Sequence, residues 1–303
     1  MAAPALITTG SKTMVVAQLK AFAALTAALR IHPAPLGLGS AWGPQLLSRQ
    51  MSSLPDDLKA DQQPGQHHPS IDLAGLPVVV VGGLASKPHI LTPLRDWLHR
   101  LGCRPLLTPA EFGIACGQRA AIAVEAAVAG HVEATGEPAV ILAHSRGGQF
   151  ARPVAVRRPD LLRGLITLGS PLNRLLGVHP AVLVKVLGLG VGGSLGIPGL
   201  FRASCLWGQC CRPLRGDLWG PFPDQLPFVS VFSRHDEVVF WQASLDPAAR
   251  HREIATTHRG LITSPAALWL IADELTRLAQ HRRTRSIKDT NTISGPPPTR
   301  TGS

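Results

Sequence analysis

The apolar run Ala139-Val140-Ile141-Leu142-Ala143 passes directly into His144-Ser145-Arg146-Gly147-Gly148, and a helical pattern follows from Gly148 to Arg157. This feature constrains the fold more than any other. A buried strand that turns sharply into a helix lifts the residue at the apex, here Ser145, into a strained conformation with its hydroxyl exposed. The flanking positions must be small because strand and helix approach closely there. Gly147 and Gly148 meet that need on the helix side, and Ala143 stands where a Gly-x-Ser-x-Gly pentapeptide has its first glycine. The pentapeptide alone is a weak signal. The strand before it and the helix after it give it meaning.

The surrounding chain repeats this rhythm. Strands are expected at Leu76–Val81, Cys103–Leu107, Leu165–Leu168 and Phe228–Phe232, and helices at Pro93–Leu101, Gln118–Ala134 and Ser264–Leu278. Strands that read as continuous apolar runs, alternating with helices, imply a mostly parallel sheet covered on both faces, an α/β architecture. The stretch from Arg174 to Pro227 breaks the rhythm. It is rich in Gly, Leu and Pro, holds three cysteines and two tryptophans, and is too long for an ordinary loop. It reads as a cap inserted over the strand ends. The expected organisation is an N-terminal helix and linker over 1–70, a catalytic domain over 71–280 with the cap at 174–227, and a disordered basic tail over 281–303. Within the first segment, Met14 to Ile31 has helical apolar spacing, and the polar, Pro-rich stretch from Met51 to Pro69 reads as linker.

The net charge of +11 over 303 residues suggests a nucleic-acid or anionic-membrane partner only if the charge is clustered. It is not clustered in the domain. Residues 281–303 alone hold five bases against one acid. No nucleic acid is expected, while peripheral contact with a membrane surface stays open. Five cysteines are too few, and odd in number, for a disulfide scaffold. Ordinary buried thiols are the simplest reading, and a bridge from Cys205 to Cys210 or Cys211 is the alternative. Zinc is set aside because no matching ligand pair is suitably spaced. No secretory signal is recognised, and the cytoplasm is the expected compartment.

A nucleophilic serine needs a base, and the base needs an orienting acid. Asp236 follows the Phe228–Phe232 strand in the run Ser233-Arg234-His235-Asp236-Glu237, with Glu237 and Asp246 as rivals. His258 stands on the loop before the last helix, with His235 and His251 as competitors. His144 is expected to line the pocket at most. The tetrahedral intermediate needs backbone donors. The N–H of Arg146, next after the serine, is one. The N–H of Leu84, in the loop Gly82-Gly83-Leu84 after the first strand, is the other, and Gly83, Gly147 and Gly148 support the turns.

Taken together, the Ser145 turn, the strand followed by SRHDEVV and the THRGL run before a helix make the chain resemble an α/β-hydrolase, and more narrowly the lipase/esterase-like serine hydrolases of actinobacterial type. Similar features are Leu165-Ile166-Thr167-Leu168-Gly169-Ser170-Pro171 and Trp241-Gln242-Ala243-Ser244-Leu245-Asp246-Pro247, and the likeness spans about residues 76–280. The resemblance implies an α/β-hydrolase fold. It also implies a Ser145-Asp236-His258 triad acting on a small, hydrophobic ester through an acyl-enzyme, with no cofactor and no metal. Two departures stand out: Gly82-Gly83 where relatives commonly have His-Gly or Pro-Gly, and Arg146 where they often carry Leu, Met or Gln. An acyltransferase using the same triad and a non-catalytic binding protein of this fold remain the alternatives.

Overall fold

The first strand is a run of valines, and all five of its residues are buried. In the computed structural model this is β1 (Pro77–Val81), the first element of a six-stranded, wholly parallel sheet. The described residues are 73–84, 86, 88–109 and 113–293. The helix expected at 14–31 and the linker at 51–69 lie outside them. After β1 come α1 (Pro88–Arg100), β2 (Arg104–Leu107), α2 (Gly117–Thr135), β3 (Ala139–His144), α3 (Gly148–Arg157) and β4 (Leu162–Leu168). Then follow α4 (Pro180–Ser194), α5 (Arg212–Trp219), β5 (Phe228–Phe232), β6 (Arg250–Glu253) and α6 (Pro265–Ile293).

Side chains alternate across a strand, so each strand feeds two cores. Val78, Val80, Val140 and Leu142 join Ile166 and Val229 under α1 and α6. Val79, Val81, Ile141 and Ala143 join Leu165 and Phe228 under α2, α3 and α5. The sheet order is β2-β1-β3-β4-β5-β6. The chain therefore reverses direction across the sheet between β1 and β3, and ligand crevices of open parallel sheets form outside the strand ends at such a switch point. The loops that leave β1, β3, β4, β5 and β6 line up side by side along the carboxyl edge.

Three elements differ from expectation. β6 reads Arg-His-Arg-Glu and is largely exposed at the sheet edge. Edge strands are kept charged against edge-to-edge pairing, which erases the apolar signal by which a strand is recognised. The first helix begins at Pro88, a turn before Pro93, which sits inside it. The last helix continues to Ile293 through the first part of the segment read as a disordered tail. Neither proline nor glycine interrupts the chain from Ala266 to Ser294, and Arg and Lys are good helix formers. Residues 294–303 lie outside the described residues.

Between β4 and β5 the 174–227 segment has two halves. Leu187, Val191 and Leu195, on and just after α4, are exposed, whereas Leu214 and Leu218 of α5 are buried in the α2/α3 core. The base of α4 is tied to the loop after β5 by a bridge between Val178 and Val239 and by the N–H of His179 donating to the Val238 carbonyl at 2.9 Å.

Candidate active site

β3 ends at His144, and the chain turns through Ser145–Gly147 into α3. Ser145 has φ +57°, and it is the only non-glycine residue with positive φ among the described residues. That conformation costs about 1–3 kcal/mol and persists only where the surroundings enforce it. Missing β-carbons enforce it here. A Cβ on Gly147 would lie 2.5 Å from the Val81 carbonyl oxygen, and one on Gly148 would lie 2.4 Å from Ser170 Oγ. A Cβ on Gly83 would lie 2.5 Å from Ser145 Cβ, 2.9 Å from its Oγ and 3.0 Å from the Arg146 nitrogen. The loop after β1 thus lies directly against the serine turn. The N–H of Gly83 is spent on Ser86 Oγ at 3.0 Å, and Leu84 follows it in the same loop.

Asp236 and His258 are brought together from the loops after β5 and β6. His258 Nδ1 donates to Asp236 Oδ2 at 2.7 Å, and both side chains are buried. Asp236 Oδ1 accepts the N–H groups of Val238 and Val239, each at 2.8 Å, so the carboxylate is held at both oxygens. With the proton fixed on Nδ1, the other ring nitrogen of His258 is left as the basic one. The two loops are stitched together by Ser233 Oγ, which donates to the Thr256 carbonyl at 2.5 Å and accepts the Thr256 N–H at 3.1 Å.

The rivals have other partners. Glu237 Oε2 accepts the backbone N–H of His258 at 3.0 Å and so positions the histidine from its main chain. Asp246 is buried in an ion pair with Arg152 Nε at 2.6 Å. His235 is exposed, and His251 reaches the Asp246 carbonyl at 2.9 Å.

Two contributors escaped the sequence reading. Gly169 follows β4 with φ +53°, and a Cβ there would sit 2.9 Å from Asp236 Oδ2 and 3.2 Å from His258 Nδ1. Within the Leu-Gly-Ser-Pro run, Gly169 leaves room for the Asp236–His258 pair. His144 does more than line a pocket. Its ring lies 4.6 Å from that of His258, centroid to centroid, and its Nε2 lies 3.1 Å from the His258 carbonyl oxygen. That oxygen can only accept, so Nε2 carries the proton. Nδ1 is buried with no hydrogen-bond partner among the described residues. Burial, reinforced by the neighbouring His258, pushes the His144 imidazole down to about 3, so it is neutral at physiological pH.

The Arg146 side chain turns away from the serine. Its guanidinium donates to the carbonyls of Gly113 at 2.6 Å and Ala115 at 3.5 Å and lies over the Phe201 ring at 4.7 Å. Burial pushes it down to about 10, which leaves it charged at neutral pH. Among the described residues all five cysteines are free, as in the simplest reading, and no bridge joins Cys205 to Cys210 or Cys211; Cys116, set apart in the sequence, lies with those three in one cluster.

A parallel sheet in this order, with a strained serine after β3, a carboxylate after β5 and a histidine after β6, is the α/β-hydrolase fold. Solved structures of that fold superpose on the chain. A lipase of Bacillus licheniformis in its mature form is 15% identical, with a TM-score of 0.53 over 70% of this chain and 95% of the other. A metagenomic carboxyl esterase is 14% identical, with a TM-score of 0.53 over 78% of this chain and 91% of the other. A metagenome-derived lipolytic enzyme is 14% identical, with a TM-score of 0.51 over 71% and 100%. No protein-family model matches the sequence, and no curated protein matches it. Among the described residues no helix is long and apolar enough to cross a membrane.

Proposed function

We propose that the chain is a serine ester hydrolase, of the lipase and esterase kind and of actinobacterial type, that acts on a hydrophobic acyl ester. The observation that carries this reading is the positive φ of Ser145 at a turn bordered by Gly83 and by the His144–His258 ring contact. Ser145 is the nucleophile, His258 the base and Asp236 the orienting acid. As Ser145 Oγ attacks the ester carbonyl, its proton passes to the free nitrogen of His258. The carbonyl oxygen takes the negative charge between the N–H groups of Arg146 and Leu84. Collapse expels the alcohol, which takes the proton from His258, and leaves an acyl-serine. Water, deprotonated by the same histidine, then releases the acid. Asp236, held by two N–H groups and by His258, balances the imidazolium without moving. His144, being neutral, adds no repulsion to that imidazolium.

The exposed apolar residues of the cap, among them Leu187, Val191, Leu195 and Trp207, favour an apolar acyl chain and give contact with a lipid surface its place in this reading. The fold neighbours, a lipase and a carboxyl esterase by name, fit the same chemistry. Labelling with a fluorophosphonate tests the nucleophile. The native chain takes up one label and Ser145→Ala takes up none. Label that survives in Ser145→Ala, or native protein that stays unlabelled, overturns the reading. In a series of esters, the rate should rise from acetyl to longer acyl groups, and a preference for acetyl would reject the hydrophobic substrate.

A further inference from the structure

From the four sulfurs of Cys116, Cys205, Cys210 and Cys211, we infer that the cap of this protein is anchored to the domain by a structural zinc ion. The four Sγ atoms all lie within 4.8 Å of one another. The individual spacings are 3.5 Å for Cys116–Cys211, 3.7 Å for Cys205–Cys210 and 3.8 Å for Cys210–Cys211. Four thiolates placed tetrahedrally at about 2.3 Å from zinc stand about 3.8 Å apart, whereas bonded sulfurs stand at about 2.05 Å. Each ligand is a side-chain sulfur and the set is complete at four, so the ion has no open position and serves structure rather than chemistry.

The surroundings are built to hold such a set. The ligand loop Cys205–Cys211 is wrapped around one guanidinium. Arg215 donates to the carbonyls of Cys205 at 3.5 Å, Leu206 at 3.2 Å, Trp207 at 3.0 Å and Gly208 at 2.9 Å. A β-carbon on Gly208 would lie 2.4 Å from the Ser204 carbonyl oxygen, so the turn closes only on glycine. Cys116 arrives from the other side, as the N-cap residue of α2, with the positive end of that helix toward it. Zinc with four thiolates carries two net negative charges. The Arg146 guanidinium, held on the carbonyls of Gly113 and Ala115 directly before Cys116, is placed to offset part of them. The separation of Cys116 from the other three along the sequence is what hid the set: no short spacing motif contains it.

Elemental analysis of the full-length chain, purified without added metal and dialysed, tests this directly. One zinc per chain is expected. Cys205→Ser and Cys210→Ser should each retain about ten-fold less zinc or lower, while Arg215→Ala, which keeps all four ligands, should yield zinc to a chelator about ten-fold more readily. Cobalt(II) loaded into the zinc-depleted chain should show the intense visible bands of tetrahedral thiolate coordination, a readout that needs no variant to fold. Native protein without metal overturns the inference, whether its intact mass is short by four hydrogens, as two disulfides require, or its thiols are all free.

Discussion

A buried neutral histidine beside the Asp236–His258 pair should make the protein acid-labile by a calculable amount. His144 is held down to about 3 in the folded chain, against an ordinary value of 6.5. The unfolded chain therefore takes up a proton as pH falls through 6.5 while the folded chain does not, and stability is lost progressively from there down to about pH 3. Each pH unit below 6.5 costs about 1.4 kcal/mol, so between pH 7 and pH 5 this group alone removes about 2 kcal/mol. His144→Gln keeps a donor for the His258 carbonyl and has no proton to gain. Urea unfolding at the two pH values, extrapolated to water, gives the stability change of each form, and groups common to both cancel in the comparison. The native chain should lose about 2 kcal/mol more than His144→Gln. Equal losses would refute the placement of a neutral imidazole at this position, and a larger loss in the variant would reverse the sign of the argument.

Gly83→Ala puts a methyl group into Ser145 and should lower kcat about a hundred-fold in ester hydrolysis, since displacement by about an ångström suffices for that. Asp236→Asn and Asp246→Asn should separate the two buried aspartates. The first keeps its melting temperature but loses fluorophosphonate labelling. The second strands the Arg152 guanidinium, costs about 3–5 kcal/mol of stability and keeps its label while folded. Gly169→Ala, forced into positive φ against the Asp236–His258 pair, should lose more than about 1 kcal/mol of stability by urea unfolding and most of its hydrolytic rate.

What the sequence made legible was local. Val78 to Val81 announce a strand buried on both faces because nothing polar interrupts them, and the turn at Ser145 is marked by the small residues that two approaching segments require. The order serine, acid, histidine became geometry for one reason. β3, β4, β5 and β6 are consecutive neighbours in the sheet, so residues far apart in sequence leave adjacent strand ends. Features that depend on a contact across the sheet or the cap had no such mark. Gly169 matters only because Asp236 and His258 meet over it, and Cys116 only because the 174–227 segment folds back upon it.

Arg146 divides its tasks between backbone and side chain. A cation directly after Ser145 would act on an oxyanion only if its side chain faced one. The guanidinium instead lies over the Phe201 ring and on the carbonyls of Gly113 and Ala115. Its backbone N–H and its guanidinium thus face different tasks. The first borders the serine, and the second ties the turn to the loop that ends at Cys116 and to Phe201 of the 174–227 segment, whose own N–H reaches the Ile114 carbonyl at 2.8 Å. A lysine there could keep the charge but not the planar, forked donor set. The guanidinium thus belongs to the fastening of the 174–227 segment onto the domain, and the position of the Arg146 N–H depends on that fastening.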